Sequence, residues 1–141
     1  IDILKEKILE DKKIRVIGDY DIDGVNATYI LLEGLERLGA DVDSDIPDRI
    51  SDGYGLNRHL VERAYEAGVD TLITCDNGIA AADEIAYGKE MGMTVIVTDH
   101  HEVTFDEHDT EFRRQMRLWI LSSRIVSIHL KDSAVLRLHT S

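Results

Sequence analysis

The chain has 141 residues, about one domain's worth, and 43% of them are hydrophobic, enough for an ordinary globular core. No apolar run approaches the roughly 18 residues of a bilayer span, no basic-then-apolar leader opens the chain, and Cys75 is alone, so a cytoplasmic protein with no membrane partner and no internal disulfide is the expectation. The formal net charge is −12, and residues 1–103 hold 10 Lys+Arg against 23 Asp+Glu, so nucleic acid could be bound only with the help of metals, a local basic patch or a partner domain.

The first 103 residues alternate between two kinds of pattern. Ile1–Lys12 has apolar residues near helical spacing and reads as a helix. Ile14–Gly18 is a β-branched run and reads as a strand. Gly24–Leu38 reads as a helix whose apolar face carries Val25, Tyr29, Leu32, Leu35 and Leu38, with Gly39 as its stop. Asp41–Ile46 is a weaker strand, and Pro47–Gly55 is a loop rich in Asp and Gly. Leu56–Ala67 is a helix ended by Gly68, Thr71–Cys75 a strand, Ala80–Met91 a helix ended by Gly92, and Met93–Thr98 a strand. This alternation predicts the α/β class, with a doubly wound, mostly parallel sheet.

Each of three strands runs into a short acidic motif. Asp19, Asp21 and Asp23 follow the first, Asp76-Asn77-Gly78 the third, and Asp99-His100-His101 the fourth. Ligands of open α/β sheets gather at the carboxyl ends of strands. The pattern therefore brings five Asp and two His to one rim, a donor set suited to one or two divalent cations. Each motif also has a plainer reading. The Asp triplet could be a solvated turn with Asp23 capping the next helix, Asp76 a turn residue, and the His pair surface residues. An aspartyl-nucleophile phosphatase is a further reading of the triplet. Arg49 and the Asp52-Gly53-Tyr54-Gly55 turn form either a surface loop or a phosphate clamp, since guanidinium matches phosphate oxygens in pairs. Cys75 reads as a small buried apolar residue. His59, His108, His129 and His139 lie outside any cluster.

In this order and at these separations, GDYDIDG, CDNGI and TDHH resemble the DHH phosphoesterase superfamily, and IPDRISDGYGL is similar to its RecJ-like branch of single-strand-specific 5′-to-3′ DNA exonucleases. The resemblance covers roughly residues 1–105. It implies two Mn2+ or Mg2+ ions, a phosphodiester substrate in single-stranded DNA, and a role in DNA repair and recombination. By motif it implies Asp19, Asp21, Asp23, Asp76 and His100 as metal ligands. It implies Asp99 and His101 as catalytic residues, and Arg49 and Tyr54 as substrate contacts. A DHH site on short oligonucleotides, cyclic dinucleotides or pyrophosphate is the alternative enzyme reading. An inactive metal-binding fragment is the non-enzyme one.

The tail breaks the grammar. Residues 104–141 hold no Gly and no Pro, although connections in α/β domains normally use them. Glu111–Leu121 reads as a helix and Arg124–Leu130 as a short strand, both without clear boundaries. The resemblance implies a longer protein, with a fourth metal-binding Asp after the DHH motif and a second domain that grips DNA. The expectation is a core over 1–103, incomplete at its C-terminus and impaired in activity, followed by an atypical tail. Met116–Ser141 can be written in codons whose neighbouring frame reads AAVDIVKQDCEYPFKGLCGAAVAYK, which resembles the family's segment after DHH. The codons are chosen, but the second frame is largely fixed by the first. A shifted reading frame is our hypothesis for the tail.

Overall fold

Strands buried on both faces need apolar residues at every position, whereas a strand at an edge does not. The computed structural model of the chain follows this rule. It describes residues 2–48, 50–53, 55–78 and 80–99, and the backbone of 126–129. Its elements are α1 (Asp2–Leu9), β1 (Ile14–Ile17), α2 (Ile22–Arg37), β2 (Val42–Asp45), α3 (Arg58–Glu66), β3 (Thr71–Cys75), α4 (Ala82–Glu90), β4 (Thr94–Asp99) and β5 (Val126–His129). The sheet order is β2-β1-β3-β4-β5, and every neighbouring pair is parallel. All five residues of β3 are buried, while the outer strand β2 has none. This difference explains why Thr71–Cys75 reads clearly in the sequence and Asp41–Ile46 weakly.

The path from β1 to β2 runs one way along the sheet, and the path from β2 across to β3 runs back. Crossovers of one hand then put α2 and α3 on opposite faces. Two buried clusters match this arrangement. Leu60, Val61 and Ala64 of α3 and Ile85 of α4 pack with Ile17, Leu72, Val95 and Val97. On the other face Leu35 packs with Ile14, Val16, Ile73 and Ile96, and Ile3, Leu4, Ile8, Ala27 and Leu31 close over them. The doubly wound α/β fold predicted from the alternation is the fold observed. Among the described residues no helix is long and apolar enough to cross a membrane.

Two details of α2 differ from expectation. The helix starts at Ile22 rather than Gly24, and its cap is Asp21, whose Oδ1 accepts from the Gly24 amide at 2.6 Å. Asp23 therefore lies in the first turn, where a carboxylate suits the positive end of the helix dipole. The face turned to the sheet carries Gly24, Thr28 and Leu35, with Ala27 and Leu31 alongside. Of the predicted apolar face only Leu35 is buried, whereas Val25, Tyr29 and Leu38 are exposed. The physical reason is close packing: Gly24 and Thr28 are small enough to let the helix approach β1, and hydropathy gives such positions little weight.

Partly buried ion pairs tie elements together near the amino ends of the strands. Arg15 on β1 donates through Nε and a terminal nitrogen to the two oxygens of Asp43 on β2, at 2.7 and 2.8 Å. Lys7 of α1 meets Asp70 at 2.7 Å, and the Thr71 hydroxyl donates to the same oxygen at 2.9 Å. Burial pushes both carboxyls up, but the hydrogen bonds and charge of Arg15 on Asp43, and of Lys7 on Asp70, outweigh it. Both therefore sit below the usual carboxylate range when folded. A depressed folded value adds stability that is complete above the unfolded value and is lost as pH falls through the folded one. Melting temperature should thus hold steady through neutral pH and drop below about pH 4. An Asp43→Asn/Asp70→Asn variant should show a shallower acid fall in pH-dependent melting. Equal acid slopes would contradict this origin.

Candidate metal centre

In the order 2-1-3-4-5 the chain reverses direction between β1 and β3, and a crevice forms outside the carboxyl ends of these two strands. Asp19 follows β1, and Asp76 follows β3. Asp99 closes β4, one residue beyond the register pair Cys75–Thr98. The Asp76 amide donates to the Thr98 carbonyl at 2.9 Å, which carries the pairing of β3 and β4 past the last strand residue. Three of the predicted site carboxylates thus lie on one edge, and all three are buried: Asp19 is 0% exposed, Asp99 4% and Asp76 8%.

Asp19 and Asp76 each have a local reason for their place. The Asp19 Oδ1 accepts from the Tyr20 amide at 2.7 Å, while its Oδ2 is buried with no hydrogen-bond partner. A Cβ at Gly24 would lie 2.6 Å from the Asp19 Cβ and 2.8 Å from its carbonyl oxygen, so only glycine lets the first turn of α2 press on Asp19. Asp76 has φ +60°, in the left-handed region that few residues other than glycine enter, and such strain concentrates at functional sites. Asn77 is 1% exposed and donates through Nδ2 to the Ile17 carbonyl at 3.2 Å and the Cys75 carbonyl at 2.9 Å. It bridges the ends of β1 and β3. Burial pushes the Cys75 thiol up, so it stays protonated and fits the small apolar role predicted for it.

Asp21 and Asp23 are exposed on the first turn of α2. One oxygen of Asp21 is engaged in the helix cap, and of the triplet only Asp19 is buried. Among the described residues no group of three His, Cys, Asp or Glu side chains could hold a metal ion as they stand. Arg49, Tyr54, His100 and His101 lie outside the described residues. The loop that carries Arg49 and Tyr54 does reach the crevice at Gly55: with φ +70°, it brings its backbone to where a Cβ would be 3.5 Å from that of Asn77. Around this loop, the Asp48 amide donates to Asp52 at 3.0 Å, Asn57 Nδ2 donates to the Asp52 carbonyl at 2.8 Å, and Arg63 pairs with Asp45. His129 ends β5 as the register partner of Asp99, a place on this edge that its isolation in the sequence does not reveal.

The fit of a divalent cation rests on this donor set. A buried carboxylate is costly unless a cation or strong donors compensate it. Asp19, with one oxygen lacking any hydrogen bond, is such a group. All-oxygen donors suit Mn2+ or Mg2+ better than Zn2+.

The family model described as "DHH family, N-terminal domain" matches residues 13–117. The chain belongs to the DHH family. Within that family, it is 46% identical over 101 residues to the single-stranded-DNA-specific exonuclease RecJ of Bacillus subtilis, covering 72% of this chain and 13% of that protein. It is also 46% identical over 99 residues to the RecJ of Thermus thermophilus, covering 70% of this chain and 15% of the relative. A crystal structure of exonuclease RecJ bound to manganese superposes with a TM-score of 0.69 at 43% identity, over 74% of this chain and 27% of the other. The crystal structure of Thermus thermophilus RecJ in complex with Mn2+ gives 0.59 at 39% identity, over 74% of this chain and 14% of the other. This DHH chain thus matches about an eighth to a seventh of the length of these two curated relatives.

Proposed function

We propose that the carboxyl edge of this sheet is a metal-dependent phosphodiester-hydrolysing site acting on single-stranded DNA, as part of a RecJ-like 5′-to-3′ exonuclease of DNA repair and recombination. The observation that carries this reading is Asp19. It is a fully buried carboxylate with an unbonded oxygen, at the switch point of a DHH-family sheet similar to RecJ proteins crystallised with manganese.

Asp19, Asp21, Asp23, Asp76 and His100 are the residues assigned to hold two Mn2+ or Mg2+ ions. When bound, such ions supply Lewis acidity at the phosphate and lower the pKa of water. Asp99 and His101 are assigned as the catalytic residues, His101 to touch the phosphate or to orient the site. Arg49 is assigned to its non-bridging oxygens, which a guanidinium matches in pairs. Tyr54 offers an aromatic face of the kind on which unpaired bases stack. The acidic surface makes cation loading a condition for approach of the strand, since 28 Asp+Glu against 16 Lys+Arg repel a polyanion. Residues 1–103 are taken as the phosphoesterase core and 104–141 as an atypical tail, of which Val126–His129 adds β5 to the sheet. Sequencing the gene tests the shifted-frame origin of that tail, which an intact frame through Ser141 in independent isolates would exclude.

The test is hydrolysis by the purified chain with Mn2+, comparing 5′-phosphorylated single-stranded DNA, duplex DNA and cyclic dinucleotides. The expected result is slow, non-processive release of nucleotides from the single strand, reduced on the order of 100-fold or more in Asp76→Asn. Preference for dinucleotides would move the site to the small-substrate branch. Manganese binding without cleavage of any substrate would make the chain a metal-binding fragment.

A further inference from the structure

Asn77 is the residue at this edge that the proposed chemistry leaves without a task. Its Nδ2 donates to two carbonyls, those of the last residues of β1 and β3. These strands are neighbours through the ladder from Ile14–Thr71 to Ile17–Thr74. Beyond that ladder the two chains part, one toward Asp19 and the other toward Asp76. The side-chain amide thus spans the gap where backbone pairing has stopped. Its Oδ1 is buried and has no hydrogen-bond partner, and a Cβ at Gly55 would lie 3.8 Å from it. A buried amide oxygen left unbonded opposes folding, so its presence here calls for a reason other than folding.

We propose that Asn77 is a positioning residue that sets the spacing of Asp19 and Asp76 across the switch-point crevice and thereby the affinity of that crevice for a divalent cation. The inference rests on the reading of this edge as a metal site. The bridge holds the two strand ends at one separation. Asp19 is two residues beyond one end, and Asp76 directly follows the other in its left-handed conformation. Removing the bridge frees the ends to move independently and spreads the carboxylates over many separations. Groups that orient metal ligands without touching the metal typically change affinity by about 10- to 100-fold.

The experiment is Mn2+ titration of the full chain by electron paramagnetic resonance, with melting in EDTA as a measure of the metal-free fold. The variants are Asn77→Ala, Asn77→Asp, Asp19→Asn and, as a stability control near the other end of the sheet, Asp43→Asn. Asn77→Ala should weaken Mn2+ binding about 10- to 100-fold. Asn77→Asp should weaken it as well, although the added negative charge by itself would tighten it. Asp43→Asn should lower the melting temperature and leave Mn2+ affinity within about threefold of the parent. Parent-like or tighter binding in both Asn77 variants, with binding lost in Asp19→Asn, would overturn the positioning role and leave the metal site standing. Equal binding in the parent and Asp19→Asn would overturn the metal reading itself. Loss of fold in both Asn77 variants would assign the residue to the fold alone and also overturn the proposal.

Discussion

In the metal-free protein, Asp19→Asn should raise folding stability by about 1–3 kcal/mol while lowering Mn2+ affinity on the order of 100-fold or more. The two effects have one cause. Asp19 is 0% exposed, and its Oδ2 has no hydrogen-bond partner, so folding takes a carboxylate oxygen out of water without giving it a hydrogen bond. Asparagine keeps the acceptor for the Tyr20 amide and removes the charge. What folding gains, a cation loses. In EDTA the variant should melt several degrees higher, because 1 kcal/mol corresponds to about 2–8 °C for a domain of this size range. With Mn2+ added, the parent should gain stability by mass action and the variant should not. A variant that melts at the parent's temperature in EDTA, or that gains equally from Mn2+, would contradict this picture.

Two glycines of α2 should respond in opposite directions. Alanine is favoured over glycine inside a helix by about 1 kcal/mol, so propensity alone predicts that both substitutions stabilise. Gly34 follows propensity: nothing lies within 4 Å of a Cβ built there, and Gly34→Ala should stabilise by about 0.5–1 kcal/mol. Gly24 does not. Its Cβ would meet the Asp19 Cβ at 2.6 Å and the Asp19 carbonyl oxygen and carbon at 2.8 and 3.0 Å. These are atoms at or in the backbone, and no rotamer change removes them. Overpacking of this kind costs about 1–3 kcal/mol and more where the obstacle is rigid, which exceeds the propensity gain. Gly24→Ala should therefore destabilise by about 1–2 kcal/mol net and displace Asp19. Urea denaturation of the two variants checks the sign of each, and a stabilised Gly24→Ala would refute the close approach.

Much of this architecture is legible in the residues, for identifiable reasons. Thr71–Cys75 and Thr94–Asp99 are buried along nearly their whole length, so they read as continuous apolar runs. Helix stops at Gly39, Gly68 and Gly92 are marked by positive φ. The buried face of α2 was not legible, because it is built from Gly24 and Thr28 while Val25 and Tyr29, the more hydrophobic residues, face outward. The cap at Asp21 rather than Asp23 was not legible either, since three carboxylates two apart are equivalent as sequence and only the entry angle of the helix chooses among them. Asn77 reads as half of a turn. Its bridging of β1 and β3 depends on strands about 60 residues apart, which no local pattern encodes. At the tail, the short strand expected over Arg124–Leu130 is found as Val126–His129, while the helix expected over Glu111–Leu121 lies outside the described residues.

The most direct measurement is paramagnetic broadening by Mn2+ in 15N-labelled protein, read amide by amide. Broadening at substoichiometric Mn2+ should centre on residues 18–24, 76–78 and 98–99, the carboxyl edge at the switch point. Amides at the amino ends of the strands, near residues 14, 71 and 94, should broaden much less, because a four- to five-residue strand sets them about 13–17 Å away along the sheet. Broadening centred on the acidic groove of Asp83, Glu84 and Glu90 between α3 and α4, or spread evenly over the acidic surface, would contradict a metal centre at this edge.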